Sequence, residues 1–597
     1  MFPYKELSDC LNRDILAWHP GLGQQVLDEP GLVSDFCLDQ VRLSMLRRSF
    51  YKKLAPNGII SKEMESAALS KFLAINRSIS SEPFEYPVET EADAVFWDYF
   101  RDNFLKTTDF NVSDVNLDLD FIRSTFTAGP GASMNCDNDS FYTKLFASRI
   151  STSSMELLAL YRAAISESDA WSFAERQRFD AFGVEIVSGN TLFFVLKNIE
   201  ELRTCCTEPL VNMLIQQAIG AFLECRLKTC FGISLSTQQV HNRELALLGS
   251  LTGTFGTCDL KSASDSISWA LIQRISKGTL LGLLRMSRSA ATILPDGSVE
   301  PLNMISTMGN AFTFPLQTVI FACVIRSVYQ MMSLDSYCPK TQFAVFGDDI
   351  IVNRHAYSFV IRCLGKLGFT VNDTKSFNSG EFRESCGLDW YSGHLVRGIY
   401  IKSLETPMEL YSAVNRLNRW SASSGISLRH TVSFLLERLG PKKLLVPFSE
   451  QIDAGYQVPF EHTIPKVTSN YWFGYKRLIS RARKRLVPND QEESQKLGYR
   501  HFNAYGWEIC FLGGFARGAD EQLNPERMGD LGPPRRWEPP KAYITPRELP
   551  GAAHRYKVAR HSIPYWDWGG PMDTLKGLNP FRFYSYGAWK RAVAVNS

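Results

Sequence analysis

What the chain lacks narrows the field first. No apolar stretch reaches the eighteen or so residues that a membrane-spanning helix needs; runs such as Thr318 to Ile325 stop at a charge, here Arg326. No bilayer segment is expected. The opening MFPYKELSDC carries Lys5, Glu6 and Asp9 and has no basic segment ahead of an apolar one, so a secretory leader is not expected. The 13 cysteines contain no C-x-x-C, and none of the nine histidines completes a zinc-type spacing near them. An odd, scattered set of thiols reads as reduced rather than as a disulfide framework, and no structural zinc is expected. Internal repeats and low-complexity tracts are also missing, which removes solenoids and disordered linkers.

What is there is a chain of 597 residues, 45% hydrophobic and 21% charged, enough to bury large cores in three or four units around a cleft. The net charge of +3 hides an asymmetry. Residues 471–597 hold 21 Lys and Arg against 12 Asp and Glu, whereas the remainder holds 44 against 50. The basic end opens with Tyr471, Trp472, Phe473 and Tyr475, followed by Lys476, Arg477, Arg481, Arg483, Lys484 and Arg485. Cations interleaved with aromatics suit phosphates and stacked bases. The same run also reads as an ordinary solvated basic helix.

Periodicity predicts helices over Phe36–Leu54 and Ser61–Asn76, neither carrying evident chemistry. TAGPGAS, residues 127–133, reads as a sharp loop. Thr191–Leu196 is predicted as a strand with Lys197 and Arg203 beyond its apolar part, and Leu210–Phe231 as a helix stopped by Gly232.

The chemistry starts at FGTCDLKSASDSIS, where a short strand delivers Asp259 to its end. Alone, Asp259 reads as a turn or cap carboxylate. FAVFGDDIIV, residues 343–352, has apolar runs with room only for a tight turn at Gly347, Asp348 and Asp349, and so predicts a β-hairpin. Two adjacent carboxylates at a hairpin tip repel each other unless a cation neutralises them. With Asp259 as a third acid the set could hold two Mg²⁺ ions, one at an attacking hydroxyl and one at a leaving oxygen. Between them, MISTMGNAFTFPLQTVIFACVIRSVYQ predicts a polar loop feeding a buried helix, with Gly309 allowing close backbone approach and Asn310 offering an amide to a ribose.

Taken in order, DLKSASDSIS, STMGNAFTF, FGDDIIV and LGFTVNDTKSFNSGEFRESCG resemble motifs A to E of viral RNA-directed RNA polymerases, most closely the replicase β subunits of leviviruses, the single-stranded RNA bacteriophages. The resemblance runs from about Leu192 to Lys402 and implies an α+β, right-hand polymerase with an antiparallel palm sheet carrying the Gly-Asp-Asp hairpin. It implies an N-terminal region over 1–60, fingers over 60–258 with 270–305, a palm over 255–402, and a helical thumb with the basic aromatic region over 405–597. By resemblance Asp259, Asp348 and Asp349 are the catalytic magnesium ligands and Lys375 the acid that protonates pyrophosphate. Asp265, Ser306, Gly309 and Asn310 would hold the nucleotide and sense its 2′-hydroxyl, Lys197 and Arg203 would close over the triphosphate, and Cys386 and Gly387 would turn beneath the primer end. Lys476, Arg477, Arg481, Arg483, Lys484 and Arg485 are the candidates for gripping RNA.

The resemblance further implies copying of an RNA template from ribonucleoside triphosphates without a primer, in the cytoplasm of an infected bacterium. Host elongation factors Tu and Ts and a ribosomal RNA-binding protein would be partners. Two residues depart from the pattern: Lys261 stands where a small residue is usual, and Pro315 lies in the motif B helix. A reverse transcriptase is disfavoured by the Asp265 and Asn310 pair and by glycine ahead of the paired acids. A catalytically inactive RNA-binding protein is disfavoured by the intact aspartates.

Overall fold

The computed structural model describes residues 2–18, 37–54, 60–109, 117–126, 133–136, 141–198, 200–334, 342–459, 462–463, 466–467, 472–481, 503–512 and 555–564. Its centre is the helix Thr313–Met331, in which Leu316, Val319, Ile320, Cys323 and Val324 are wholly buried, as are Phe321, Ala322 and Ile325 on its other sides. Periodicity predicts one buried face; the helix is instead enclosed nearly all round, as a helix apolar on every side must be. Pro315 sits in its first turn, where the missing N–H costs nothing. Packed on it are the helices Glu91–Thr107 and Leu210–Phe231. The latter ends where Gly232 adopts the left-handed conformation (φ 69°) and closes the last turn onto Leu227 and Lys228.

Beside this helix lies an antiparallel three-stranded sheet, ordered Phe255–Cys258, Asp349–Asn353, Ala344–Phe346. Both faces are covered, and strand alternation assigns them. Ile350 and Val352 join the large core around the central helix, while Ile351 joins Leu245, Ala246 and Phe255 beneath the helix Leu235–Thr252. A strand buried on both sides needs a continuous apolar run, which Ile350, Ile351 and Val352 supply. A second sheet of four strands runs Leu202–Thr207, Asn190–Leu196, Ala291–Ile293, Val299–Pro301.

The N-terminal helices Tyr4–Trp18 and Leu38–Lys52 do not form a core of their own. Leu7, Leu11, Ile15, Leu43, Leu46 and Phe50 share one with residues of the helices Pro407–Ser424 and Arg429–Arg438. From its other side Leu38–Lys52 sets Val41 and Met45 against Phe377, Phe382, Tyr391 and Val396. The C-terminal region departs from the helical expectation. Trp472–Arg481, where a basic helix is one expectation, is a strand paired with Lys466–Val467 and with Arg555–Pro564. Lys476 is exposed, whereas Tyr475 and Leu478, three residues apart and so on opposite faces of the strand, are both buried.

One contact joins the two ends of this arrangement. Asp14, buried, accepts hydrogen bonds from the amides of His430 (2.9 Å) and Thr431 (2.8 Å) and from the Thr431 hydroxyl (2.6 Å). The helix Arg429–Arg438 has Leu428 at its N-cap, whose side chain has no oxygen to offer, so a residue 416 positions before His430 caps it instead. Asp14→Ala leaves those donors buried without acceptors and is expected to cost ~2 kcal/mol locally, about thirtyfold faster amide exchange in the first turn of that helix. Hydrogen-exchange mass spectrometry on peptides spanning 429–438 measures it, and unchanged protection would remove the capping role.

Candidate active site

The three aspartates are brought to adjoining strand ends by the register of the sheet. Ile350 pairs with Cys258, so Asp259, one residue on, leaves its strand beside Asp349, where the neighbouring strand begins. Phe346 pairs with Asp349 and leaves Gly347 and Asp348 as a two-residue turn. Gly347 has φ +62°, its N–H donates to the Thr318 hydroxyl (3.1 Å), and a Cβ there would lie 2.3 Å from the Phe314 ring. Only glycine fits this position. Burial, then the charges of Asp259 and Asp349, push the Asp348 carboxyl up to about 6. Asp349 is raised as well, chiefly by burial, against the pull of a hydrogen bond from the Cys386 amide.

Neighbours hold each of the outer carboxylates by a separate set of contacts. Asp259 Oδ2 accepts from Asn372 Nδ2 (2.8 Å) and lies 3.5 Å from Lys375 Nζ, while its own N–H donates to Ser376 Oγ (3.1 Å). Burial pulls the Lys375 ammonium down, but Asp259 and Glu384 prevail and raise it, so it is charged at neutral pH. Asp349 Oδ1 accepts from the Cys386 N–H (3.1 Å), and the Asp349 carbonyl accepts from Asn242 Nδ2 (3.0 Å). Arg243 donates twice, from Nε and Nη2, to the Cys386 carbonyl (3.0 and 2.9 Å). Cys386 and Gly387 form the tight turn of the hairpin Phe382–Ser385 and Leu388–Tyr391, both with positive φ (46° and 76°).

Sequence reasoning did not find Asn242, Arg243, Thr318 or Asn372. Asn372 and Ser376 flank Lys375 in NDTKSF, a signal that could have been used. Nothing local marks Asn242, whose partner is 107 residues away.

The donor set suits a hard divalent cation: three carboxylates crowded by burial and mutual repulsion, with oxygen as the donor atom. Among the described residues no three His, Cys, Asp or Glu side chains converge closely enough to share an ion as they stand. The carboxylate of Asp259 is turned to Asn372 and Lys375, and that of Asp349 to Cys386.

A second group gathers around the loop ahead of the central helix. Asp265, in the 3₁₀ turn Ala263–Ser266, is 8% exposed, and burial pushes its carboxyl up to about 6 against Ser264 and the charge of Lys71. Ser306 is buried beneath a hydrogen bond from the Thr313 hydroxyl (2.8 Å). Gly309 has φ +126°, and a Cβ there would meet the Cys206 carbonyl oxygen at 2.1 Å. This glycine lets the loop lie flat on the strand Leu202–Thr207, where the Cys206 amide also donates to the Met308 carbonyl (2.7 Å). Asn310, 7% exposed, accepts from the Phe312 amide through Oδ1 (3.0 Å), but its Nδ2 has no partner among the described residues. A buried amide without an acceptor is costly, and a ligand oxygen would relieve it. Beneath the loop, Glu208 accepts from Asn190, Gln216 and Ser289, and Asn190 also donates to Thr307.

Lys197 is held by Glu201 (2.8 Å) at the end of the hairpin Asn190–Leu196 and Leu202–Thr207, with Arg203 on its second strand. In the C-terminal sheet Lys476 is exposed, but Arg477 is bound to the buried Glu450 (2.8 Å), which also accepts from the Tyr475 hydroxyl. Of Arg481 the structure describes the strand position, opposite Arg555. Arg483, Lys484 and Arg485 lie outside the described residues, as do residues 127–132 of the Gly/Pro-rich loop.

A family model described as RNA replicase, beta-chain, matches residues 24–511. The chain belongs to the RNA replicase β-chain family. Among its relatives, the RNA-directed RNA polymerase subunit beta of Escherichia virus Qbeta is 39% identical over 269 residues, 45% of each chain. That of Enterobacteria phage SP is 37% identical over 243 residues, 40% of this chain and 41% of the relative. The RNA-directed RNA polymerase beta chain of Escherichia phage MS2 is 37% identical over 249 residues, 42% of this chain and 44% of the relative. The matches thus span less than half the length of these curated replicase relatives. The solved RNA-dependent RNA polymerase of a human picorbirnavirus, an insertion-loop deletion mutant, overlays with a TM-score of 0.28 at 11% identity, covering 57% of this chain and 82% of the other, too loose a match to bear on the architecture. No helix among the described residues of this replicase β-chain is long and apolar enough to cross a membrane.

The carboxylate set makes a direct prediction. Mn²⁺, followed by its paramagnetic resonance signal, is expected to bind the full chain and to be weakened roughly 10- to 100-fold in Asp348→Asn and Asp259→Asn. Equal affinity in both variants would remove the aspartates from cation binding.

Proposed function

We propose that this replicase β-chain is an RNA-directed RNA polymerase of a single-stranded RNA phage, joining ribonucleotides on an RNA template without a primer. The observation that supports the reading is the strand register, which brings Asp259 and Asp349 to adjoining strand ends with Asp348 in the turn beside them. In the right-hand description the three-stranded sheet is the palm, the Asn190–Thr207 hairpin and its neighbours are fingers, and the helices from Pro407 onward are thumb.

Asp259, Asp348 and Asp349 would hold Mg²⁺, two ions in the family pattern, supplying activation of the 3′-hydroxyl and neutralisation of the leaving phosphates. The chain's own groups do the rest. Asn310, with its unpaired Nδ2, and Asp265, buried on the turn Ala263–Ser266, bind the ribose hydroxyls; a deoxyribose would leave one of these buried groups without its partner. Ser306 and Gly309 fix the loop that presents Asn310. Lys197 and Arg203 face the triphosphate once Lys197 leaves Glu201. Lys375, held charged beside Asp259, keeps a proton at Nζ for the leaving pyrophosphate. Lys476 and the basic residues that follow it draw RNA in by charge, whereas Arg477 is spent on Glu450 and holds the fold.

A protein named as a β subunit implies further subunits, and the partners expected by resemblance are elongation factors Tu and Ts and a ribosomal RNA-binding protein, in the host cytoplasm.

The test is labelled-GTP incorporation on a C-rich RNA template without primer, with and without Mg²⁺, for the chain alone and with bacterial extract. Asp348→Asn is expected to lower synthesis roughly 10³-fold or more while RNA affinity stays within about twofold. Near-normal synthesis by the variant would sink the assignment; RNA binding with no magnesium-dependent synthesis in either preparation would favour an inactive RNA-binding protein.

A second prediction separates the basic residues. Neutralising Lys476, Arg481, Arg483, Lys484 and Arg485 together is expected to flatten the slope of log affinity against log salt by about 0.7 for each phosphate that the variant no longer neutralises. Arg477→Ala should leave the slope alone and lower thermal stability. An unchanged slope in the first variant returns these residues to plain solvation.

A further inference from the structure

Beneath the loop that presents Asn310 lies a carboxylate outside the segments that resemble motifs A to E. Glu208 is 3% exposed and directly follows the strand Leu202–Thr207. Its Oε1 accepts from Asn190 Nδ2 (2.7 Å), and its Oε2 accepts from Gln216 Nε2 (3.0 Å) and from the Ser289 hydroxyl (2.8 Å). All three partners are neutral, and burial pushes the carboxyl up against their pull. A buried carboxylate without a counter-charge is costly, so its retention asks for a reason. Its chemistry supplies one. A carboxylate accepts on both oxygens and donates from neither, whereas an amide in its place would turn a donor toward one of these donors.

Two of the three donors continue to the loop, and they reach it on either side of Asn310. Asn190 Nδ2 also donates to the Thr307 hydroxyl (3.0 Å), three residues before Asn310. Gln216 Oε1 accepts from the Ala311 amide (3.4 Å), one residue after it. Between these grips the Asn310 amide closes a turn onto the Thr307 carbonyl (3.2 Å). Asn190, Gln216 and Thr307 are as deeply buried as Glu208 itself. The third donor, Ser289, has no hydrogen bond to the loop among the described residues. The same carboxylate also fixes the base of a hairpin. Asn190 and Glu208 stand at the open end of the pair Asn190–Leu196 and Leu202–Thr207, while Lys197 follows the first strand at the far end and Arg203 lies on the second. Hydrogen bonds in a buried network are directional and reinforce one another, so loop and hairpin are held as one body with Glu208 at the joint.

We propose that Glu208 is a positioning residue for nucleotide selection: it couples the loop of Asn310 to the hairpin of Lys197 and Arg203, and so sets the discrimination between ribose and deoxyribose from beneath the site. The inference rests on the proposed polymerase function and deepens it. Asn310 distinguishes a 2′-hydroxyl only if its amide is held at a fixed place, and a misplacement of about 1 Å is enough to lose much of such an effect.

The experiment compares kcat/KM for GTP and for 2′-deoxyguanosine triphosphate on a C-rich RNA template, using the full chain in the preparation that makes RNA. Glu208→Gln keeps the shape but places a donor where an acceptor stood, so the amide of Asn190 or of Gln216 must turn and release Thr307 or Ala311. Its preference for the ribonucleotide is expected to fall about tenfold, mostly through a higher KM for GTP. Ser289→Ala removes a donor from the same carboxylate without touching the loop, and should keep the parent preference within about twofold. Should Glu208→Gln fail to fold, Thr307→Val severs the loop end of the Asn190 bond and is expected to lower the preference in the same direction. Parent discrimination in Glu208→Gln, or an equal loss in Ser289→Ala, overturns the proposal and leaves the network a role in stability alone. Hydrogen exchange without nucleotide gives a readout independent of synthesis. Peptides spanning 304–313 should exchange about tenfold faster in Glu208→Gln, with 316–331 unchanged. Faster loop exchange in a chain that makes no RNA would keep the positioning role while the polymerase reading fell; active synthesis with parent discrimination and parent loop exchange would do the reverse.

Discussion

Crowding three carboxylates at the ends of two neighbouring strands is unfavourable, and much of the surrounding architecture exists to hold them there. Strand pairing fixes Asp259 beside Asp349. A glycine turn locked by Thr318 and roofed by Phe314 fixes Asp348. Around them Asn372 and Lys375 engage a carboxylate oxygen of Asp259, Cys386 engages one of Asp349, and Asn242 holds the Asp349 carbonyl, so that the repulsion is met by directed bonds rather than relieved by drifting apart. The fully buried helix beside the sheet supplies the rigidity, since close-packed apolar side chains do not yield to a local electrostatic strain.

The same constraint orders the supporting residues. Arg243 grips the carbonyl of Cys386, whose amide grips Asp349. The hairpin turn and the carboxylate are therefore coupled as one body. The buried Glu208 network does the same for the loop of Asn310, tying Asn190, Gln216 and Thr307 together beneath it. Both groups are thus backed by polar side chains whose hydrogen bonds are directional, a more restrictive scaffold than apolar packing alone.

The parts legible in the sequence were those with short-range grammar. Gly232 after an apolar run and a two-residue Gly-Asp turn between apolar strands each state their geometry locally, and the helix Leu210–Phe231 and the hairpin around Gly347 fall where those signals put them. Asp259, Asp348, Asp349, Asp265 and Asn310 stand out in the sequence by motif order, and strand register sets the first three at adjoining strand ends. What stayed hidden depends on separation along the chain. Asn242 meets Asp349 across 107 residues, and Arg48 and Lys52 share a cleft with Lys375 from the far N-terminal end, pairings that no window of sequence contains. The stretch after Tyr471 lent itself to a helical reading because a run of cations does not state its own geometry, and the strand it pairs with, Arg555–Pro564, lies far along the chain.

The bond from Thr431 to Asp14 has a consequence for synthesis. A ribosome adds about 5–20 residues per second, so the helix Tyr4–Trp18 emerges roughly 20–80 s before the segment it caps exists. Throughout that interval Leu7, Leu11 and Ile15, which end in the core shared with residues beyond Pro407, have no final place to pack. The nascent chain must carry an exposed apolar stripe for most of its own translation, and its first helix is among the last to reach its native setting.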